Sequence, residues 1–409
     1  MALGSINAVL GATLLAIGGV DTDASAAPQS SIDVQPIMDA RLRYETVEER
    51  TRKADALTLR LRGGVVAKAG NLSFLAEAEG TAAIATHYNA FPFALPGKEQ
   101  WRPTRSVVPD PVNLELNRLQ LEYRSKDKTI TLGRQRINLD DQRWVGSVGW
   151  RQNEQTFDAL RGQAKAGPFA LDLTYAMAQR TIFGNNAGAR TSYKGNFVFA
   201  GASAKSGWLE GKAFAYLLDY DEAFVLTNSS QTYGLILSAA IPVSERASLS
   251  VRGTYARQSD YASNPFDYSA DYWSVDLGGQ YAGLSVLGGL ESLGSDNGRA
   301  VQTPMATLHK FNGWADKFLT TPATGLRDRH LSVSYKLANG RRLKDVIATV
   351  THHRFESASG SVHYGDEWNT SLGMKLGRVG ILAKFADYDA RNFGEDTRKF
   401  WLQAEWSLK

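Results

Sequence analysis

The stretch Leu57-Thr58-Leu59-Arg60-Leu61-Arg62-Gly63-Gly64-Val65 alternates: Leu57, Leu59, Leu61, Gly63 and Val65 fall on one side of an extended chain, Thr58, Arg60 and Arg62 on the other. A period of two marks a strand with one apolar and one polar face. The segment before it sets Met38, Ala40, Leu42 and Tyr44 against Asp39, Arg41, Arg43 and Glu45, and the segment after sets Leu72, Phe74, Ala76 and Ala78 against Ser73, Glu77 and Glu79. The pattern persists in Leu119, Leu121 and Tyr123 opposite Arg118, Gln120 and Glu122. It recurs in Leu249, Val251, Gly253 and Tyr255 opposite Ser250, Arg252 and Thr254, and in Trp368, Leu372, Met374 and Leu376 opposite Asn369, Ser371 and Lys375. About eighteen such segments of roughly ten residues run to the C-terminus, the strand size and even number of a bacterial outer-membrane barrel.

The connections separate this reading from a soluble β protein, in which a single alternating strand would simply be half buried. Long and short linkers take turns: residues 46–54, 81–111, 138–154, 184–193, 219–231, 258–271, 294–328, 357–366 and 388–398 are long. The linkers between them, such as residues 69–70, 125–128, 205–207 and 377–380, are tight. A sandwich has no reason to keep every second connection short, whereas a membrane barrel has tight periplasmic turns at one rim and long extracellular loops at the other. The expected fold is therefore all-β, a transmembrane antiparallel up-and-down barrel of about eighteen strands over residues 33–409. The last segment, Phe400, Leu402, Ala404, Trp406 and Leu408 alternating with Lys399, Trp401, Gln403, Glu405 and Ser407, is of the apolar kind that barrel-assembly machinery reads, so outer-membrane lipid and that machinery are the expected partners.

Composition agrees. The 409 residues include 38 Gly, 16 Tyr, 17 Phe and 9 Trp, which excludes a disordered or coiled-coil chain, and the absence of Cys removes disulfides, thiolate nucleophiles and Cys-ligated metals. Residues 6–20 form the one sustained apolar run, followed by the small-x-small pattern Ala24-Ser25-Ala26, which reads as a signal peptide, residues 1–26, cut after Ala26. Its basic flank is missing, so a start upstream of Met1 is expected. Loss of Asp21 and Asp23 with the leader would raise the formal charge from +4 by two, and no nucleic-acid partner is expected from so small an excess.

A barrel of this size has room for a wet channel, so function is sought in what lines it. Strand parity places Arg41, Arg43, Arg60, Arg62, Arg118, Arg252, Lys375 and Lys384 toward the lumen, among the acids Asp39, Glu45, Glu77, Glu79, Glu122, Asp172 and Asp276. Rings of Arg and Lys favour anions, and guanidinium matches carboxylate bidentately. Mixed charge is also the ordinary lining of any barrel, which leaves a broad-specificity porin open. Arg134 and Arg136 share the parity of Ile130 and Leu132. An Arg facing lipid near the midplane costs about 2–4 kcal/mol, so both are expected inside, with Gly133 in a bulge. The charged run Asp140-Asp141-Gln142-Arg143-Trp144 that follows is either functional or a salt-bridged loop anchor. In the long loop, His309, Lys310, Phe311, Trp314, Asp316, Lys317 and Phe318 include apolar groups that need burial, which favours folding inward or onto the rim as a constriction.

These two regions also carry a family resemblance. Leu132-Gly133-Arg134-Gln135-Arg136-Ile137, running into Trp150-Arg151-Gln152-Asn153-Glu154-Gln155-Thr156-Phe157-Asp158, resembles the alginate-export family of outer-membrane barrels. So does Thr303-Pro304 through His309-Lys310-Phe311-Asn312-Gly313-Trp314-Ala315-Asp316-Lys317-Phe318 to Gly325-Leu326. The resemblance implies an eighteen-stranded barrel and passage of an acidic polysaccharide through an Arg-rich pore, with Arg134, Arg136, Arg143 and Arg151 as the matching positions. The solute stays open between an anionic carbohydrate and small solutes of broad range.

A barrel enzyme acting on lipid is the competing class. Of the six histidines only His352 has a parity suited to the outer wall, and no Ser/His/acid constellation accompanies it. His352 and His353 point to opposite faces, so they are not a metal pair. No catalytic residue, metal or cofactor is expected.

Overall fold

A computed structural model describes residues 32–340 and 343–408. Eighteen antiparallel strands follow chain order: β1 Asp33–Glu49, β2 Lys53–Ala69, β3 Leu72–His87, β4 Asn113–Arg124, β5 Lys128–Gln135 and β6 Thr156–Ala166. Next come β7 Phe169–Arg180, β8 Ser192–Ser206, β9 Leu209–Tyr220, β10 Ser230–Ser244, β11 Ala247–Asp260 and β12 Ser269–Tyr281. The last six are β13 Leu284–Leu293, β14 Leu326–Lys336, β15 Leu343–Glu356, β16 His363–Leu376, β17 Val379–Ala390 and β18 Thr397–Ser407. Each strand pairs with its neighbour in sequence, and β1 pairs with β18 from Asp39↔Ser407 to Glu49↔Thr397, which closes the sheet. The expected leader lies outside the described residues.

Burial is inverted relative to a soluble protein. Leu61 is 53% exposed while Arg60, beside it on the inner face, is 1% exposed. Leu132, Leu160, Leu171, Leu235 and Leu331 are likewise exposed, and Arg43, Glu79 and Glu367 are buried. Only a lipid surround makes such a surface stable, because leucines on the outside of a barrel are solvated by acyl chains, and closure leaves no unpaired edge. No helix among the described residues is long and apolar enough to cross a membrane; this chain crosses with strands.

One expected long loop is mostly strand. The connection at residues 46–54 shrinks to a three-residue turn, because inward-facing Val47, Ala54 and Ala56 extend the alternation and pack beneath Tyr88, Phe91 and Val108 of the loop 88–112. A second apolar cluster lies inside the barrel. Ile137, Leu139, Trp144 and Val145 from the loop 136–155 and Met305, Ala315 and Phe318 from the loop 294–325 meet wall residues such as Phe157, Phe199, Tyr272, Phe355 and Trp401. Both loops therefore fold inward, and the greasy residues of the second are buried in the lumen as their composition requires.

Candidate functional site inside the barrel

The strand β5 stops at Gln135, and the loop 136–155 crosses the interior to the wall formed by β1–β3. There the wall arginines meet backbone. Arg41 donates to the carbonyls of Gly149, Trp150 and Arg151 at 3.0, 3.2 and 3.1 Å, and to Glu405 at 3.0 Å. Arg43 bonds the Trp150 carbonyl and Gln403, and its guanidinium lies 4.1 Å from the Trp150 ring centroid. Gln152 donates to Thr58 Oγ1 at 2.8 Å, and Glu154 accepts from Arg62 at 2.7 Å and from Arg136. Arg60 pairs with Asp39 and Glu405. Polar side chains on the inner face thus replace the water that a loop backbone would otherwise bond.

The loop 294–325 docks on the opposite wall. Arg143, reaching from the first loop, forms a bidentate pair with Glu291 at 2.7 and 3.2 Å and donates to Asn312 at 3.0 Å. The backbone N–H groups of Trp314 and Ala315 donate to Glu367 at 2.5 and 2.9 Å. Gly313 has φ +85°, and a Cβ there would come within 2.3 Å of a Glu367 oxygen, so only glycine permits this approach. Deeper in the cluster, Asp316 receives His309 Nδ1 at 2.8 Å, Lys399 at 2.8 Å and Arg151 at 3.2 Å.

Burial holds the His309 imidazole well below its ordinary value, and Lys384, whose Nζ donates to His309 Nε2 at 2.8 Å, adds to the effect against the pull of Asp316. His309 is accordingly neutral, donating from Nδ1 and accepting at Nε2. Burial alone would raise the Asp316 carboxyl, but His309, Lys399 and Arg151 hold it well below the usual carboxylate range. Trp150 stacks on His309 at 4.7 Å with the rings 4° apart, and the Lys384 ammonium sits 3.7 Å from the Trp314 centroid and 4.0 Å from that of Trp150.

The site residues expected from sequence sort into three groups. Arg41, Arg43, Arg60, Arg62, Arg143, Arg151 and Lys384 are buried; all but Arg60, which ties β2 to Asp39 and Glu405 within the wall, hold the loops to the wall. Arg118, Arg136 and Arg252 face the interior with part of the side chain uncovered, and Lys375 is exposed near the tight-turn rim, paired with Asp345 at 3.1 Å. Within the inner loop, Trp314, Asp316 and His309 lie in the cluster, Lys310 is exposed and bonds the Asp141 carbonyl, and Lys317 reaches Glu49 at the tip of β1. The run Asp140–Arg143 acts as an anchor, with Asp140 on Lys212 and Asp141 on Arg252.

Arg134 corrects an expectation. The register from β4 to β6 runs without a shift at Gly133, and Arg134 lies opposite Leu119 and Asp158 on the outer face. It is stable there because Asp158 takes its guanidinium bidentately at 2.8 and 3.1 Å while Leu116 O accepts a third bond at 3.0 Å, which removes the lone-charge cost. Arg136 does face inward, because the chain leaves the strand at that point rather than through a bulge. Glu291 and Glu367, which organise the inner loop, had the right parity to be found but no motif to single them out. Asp110, which pairs with Arg43 at 3.5 Å, comes from a loop, where parity is silent.

The outward residue His352 has Leu331 and Trp368 as cross-strand neighbours, so no serine stands opposite it on the adjoining strands. A closed barrel with an apolar exterior and two loops folded into a charged interior defines an outer-membrane channel protein. Residues 38–248, just over half the sequence, match the alginate export family, and the chain belongs to it. The Thr303–Leu326 motif lies beyond the matched residues. No curated protein matches the sequence.

Solved structures of similar fold include Pseudomonas aeruginosa OccK1 (OpdK), with a TM-score of 0.69 at 14% identity over 92% of this chain and 98% of that one. The same protein has been solved with vanillate, again at a TM-score of 0.69 and 14% identity over 92% and 98% of the two chains. Acinetobacter baumannii OccAB4 has a TM-score of 0.69 at 10% identity over 93% and 99%. At such identities the likeness establishes the fold.

Proposed function

We propose that this channel passes anionic solutes bearing carboxylates, acidic oligosaccharides of the alginate type among them, through the space beside the two inner loops. The observation that carries the reading is the depth order of charge at Arg118 and Arg136. Their side chains are 16% and 27% exposed, whereas those of the acids that pair with them, Glu77 and Glu154, are 1% and 4% exposed. The acids are the more deeply buried partners and fix the arginines, whose side chains keep part of their surface open for contact with a passing carboxylate. Membership of the alginate export family and the crystallisation of OpdK with vanillate, a carboxylate, support the same solute class. On this reading residues 1–26 serve as the export signal, residues 33–409 act as one domain, and the terminal strand is what the assembly machinery receives.

The test is the reversal potential of the reconstituted protein in planar bilayers under a KCl gradient. Anion preference is expected, with the Arg118→Gln/Arg136→Gln double variant moving the permeability ratio toward unity by about twofold or more. Cation preference in the wild type would refute the reading. The second reading, a broad small-solute porin, is favoured by how many of the wall arginines are neutralised by acids. Liposome swelling separates the two: equal rates for neutral and acidic sugars of one size would select the porin.

A further inference from the structure

A group of residues on the wall below the inner loop takes no part in anchoring the loop 136–155. Asp328 and His330 are two apart on β14 and so share the inner face, and His353 on β15 lies directly opposite His330 in the register. Its Nδ1 is 3.0 Å from both oxygens of Asp328, and one donor atom from each of the three residues lies within 4.8 Å of the others. From the other side Asp276 on β12 brings Oδ1 to 3.3 Å from His330 Nε2.

That last contact spans an intervening strand. Asp276 pairs with Gly289 on β13, and Gly289 pairs with His330. A Cβ at position 289 would lie 2.2 Å from Asp276 Oδ1 and 2.3 Å from His330 Nε2, so glycine is what lets the carboxylate and the imidazole meet. Asp328 and His353 are buried, while His330 and Asp276 are partly open to the interior, so the group has a closed back and an accessible front.

Among the described residues, neither Asp328 nor Asp276 has a Lys or Arg within ion-pair distance; their ionic partners are the histidines. Asn312 of the inner loop donates to Asp328 at 3.2 Å, which satisfies a lone pair without supplying charge. Two carboxylates and two imidazoles thus converge on one patch of the lumen wall and offer oxygen and nitrogen donors to a cation.

We propose that Asp328, His330 and His353 bind a divalent transition-metal ion of the zinc class on the lumen wall, with Asp276 as a fourth donor. Two imidazole nitrogens with carboxylate oxygens suit zinc and its neighbours rather than magnesium or calcium, which take oxygen ligands and more of them. Tetrahedral zinc with bonds of about 2.0–2.1 Å holds its donors about 3.3 Å apart, so the four side chains close inward by rotation when the ion enters.

The experiment is calorimetric titration of the folded full-length protein in detergent with Zn2+ alone. One ion per chain is expected to bind with a micromolar or tighter Kd, and His330→Ala/His353→Ala is expected to weaken it at least tenfold, with the outward His352→Gln variant unchanged. Heat-modifiable migration on gels reports whether each variant is folded. Should the double variant fail that check, His330→Gln, at the open side, is expected to weaken binding at least tenfold by itself. Absence of saturable one-ion binding, unaltered affinity in the folded His330 variants, loss of affinity in His352→Gln, or displacement of Zn2+ by equimolar Mg2+ would each overturn the proposal.

Discussion

Glu154 of the inner loop and Arg62 of β2 form a buried ion pair at 2.7 Å, their side chains 4% and 5% exposed. The same carboxylate also accepts from Arg136 and Asn117, and the backbone N–H of Glu154 donates to Glu79. Glu154 is therefore the point at which the loop 136–155 is tied to the adjacent strands β2, β3 and β4. Without the Glu154 charge Arg62 still has Glu79 and Arg136 still has Glu77, so the cost is that of one lost charged hydrogen-bond partner, about 1–3 kcal/mol. Glu154→Gln is expected to lower stability by about that amount while the barrel still closes, because none of the strand ladders depends on it. Urea unfolding in lipid vesicles, followed by tryptophan fluorescence, measures the loss; a midpoint equal to that of the wild type would show that the pair contributes nothing.

On the far wall the inner loop depends on an aromatic contact instead. Phe318 is buried with its ring centroid 4.5 Å from Phe355, 5.2 Å from Phe393 and 5.9 Å from Tyr364. Phe318→Ala removes that packing and leaves a cavity, a change that costs about 3–5 kcal/mol in a well-packed core. The expected result is a loop released from the wall, visible as faster proteolysis between residues 294 and 325 with the strand core intact. Equal cleavage rates in variant and wild type would contradict this.

The strand pattern, loop rhythm and closure were legible because lipid and lumen impose a period of two on every strand, and Arg60 beside Leu61 carries that information by itself. The interior of the loops was legible only in part. The apolar residues around Phe318 declared that they needed burial, but nothing local says that Trp314 and Ala315 hand their N–H groups to Glu367, since that bond joins residues 52 and 53 positions apart. Arg134 was misplaced for a different reason. The cost of an arginine in lipid holds for a lone residue, whereas its partner Asp158 lies 24 positions away on β6 and changes the sum.

That outer pair gives a test of its own. Arg134→Leu alone leaves Asp158 facing the bilayer without a partner and is expected to destabilise the barrel, as is Asp158→Leu alone, each by roughly 1–3 kcal/mol. The double variant replaces an ion pair by two apolar side chains on a surface already made of Leu116, Leu119, Leu132 and Leu160. It is expected to recover most of the loss, because desolvating both charges no longer opposes folding. Additive losses in this double-mutant cycle, measured by unfolding in vesicles, would mean that Arg134 and Asp158 act independently.

The neutral His309 beneath Trp150 makes stability depend on pH in a definite direction. Its folded value is well below the ordinary 6.5, so between the two the unfolded chain carries a proton that the folded barrel does not. Stability from this group is fully present above about pH 6.5 and is lost progressively as pH falls below it. The depressed Asp316 carboxyl works in the same direction lower down, since its contribution is present above the ordinary 3.8 and declines as acid protonates the unfolded chain first. The contribution of His309 should therefore fall steadily from pH 7 to pH 5. His309→Gln, which keeps a donor and an acceptor but cannot titrate, should be less stable at pH 8 and show a shallower slope between pH 7 and pH 5. Denaturant midpoints taken across that range compare the two slopes directly, and identical slopes would mean that His309 binds its proton as readily folded as unfolded, contrary to its burial beside Lys384.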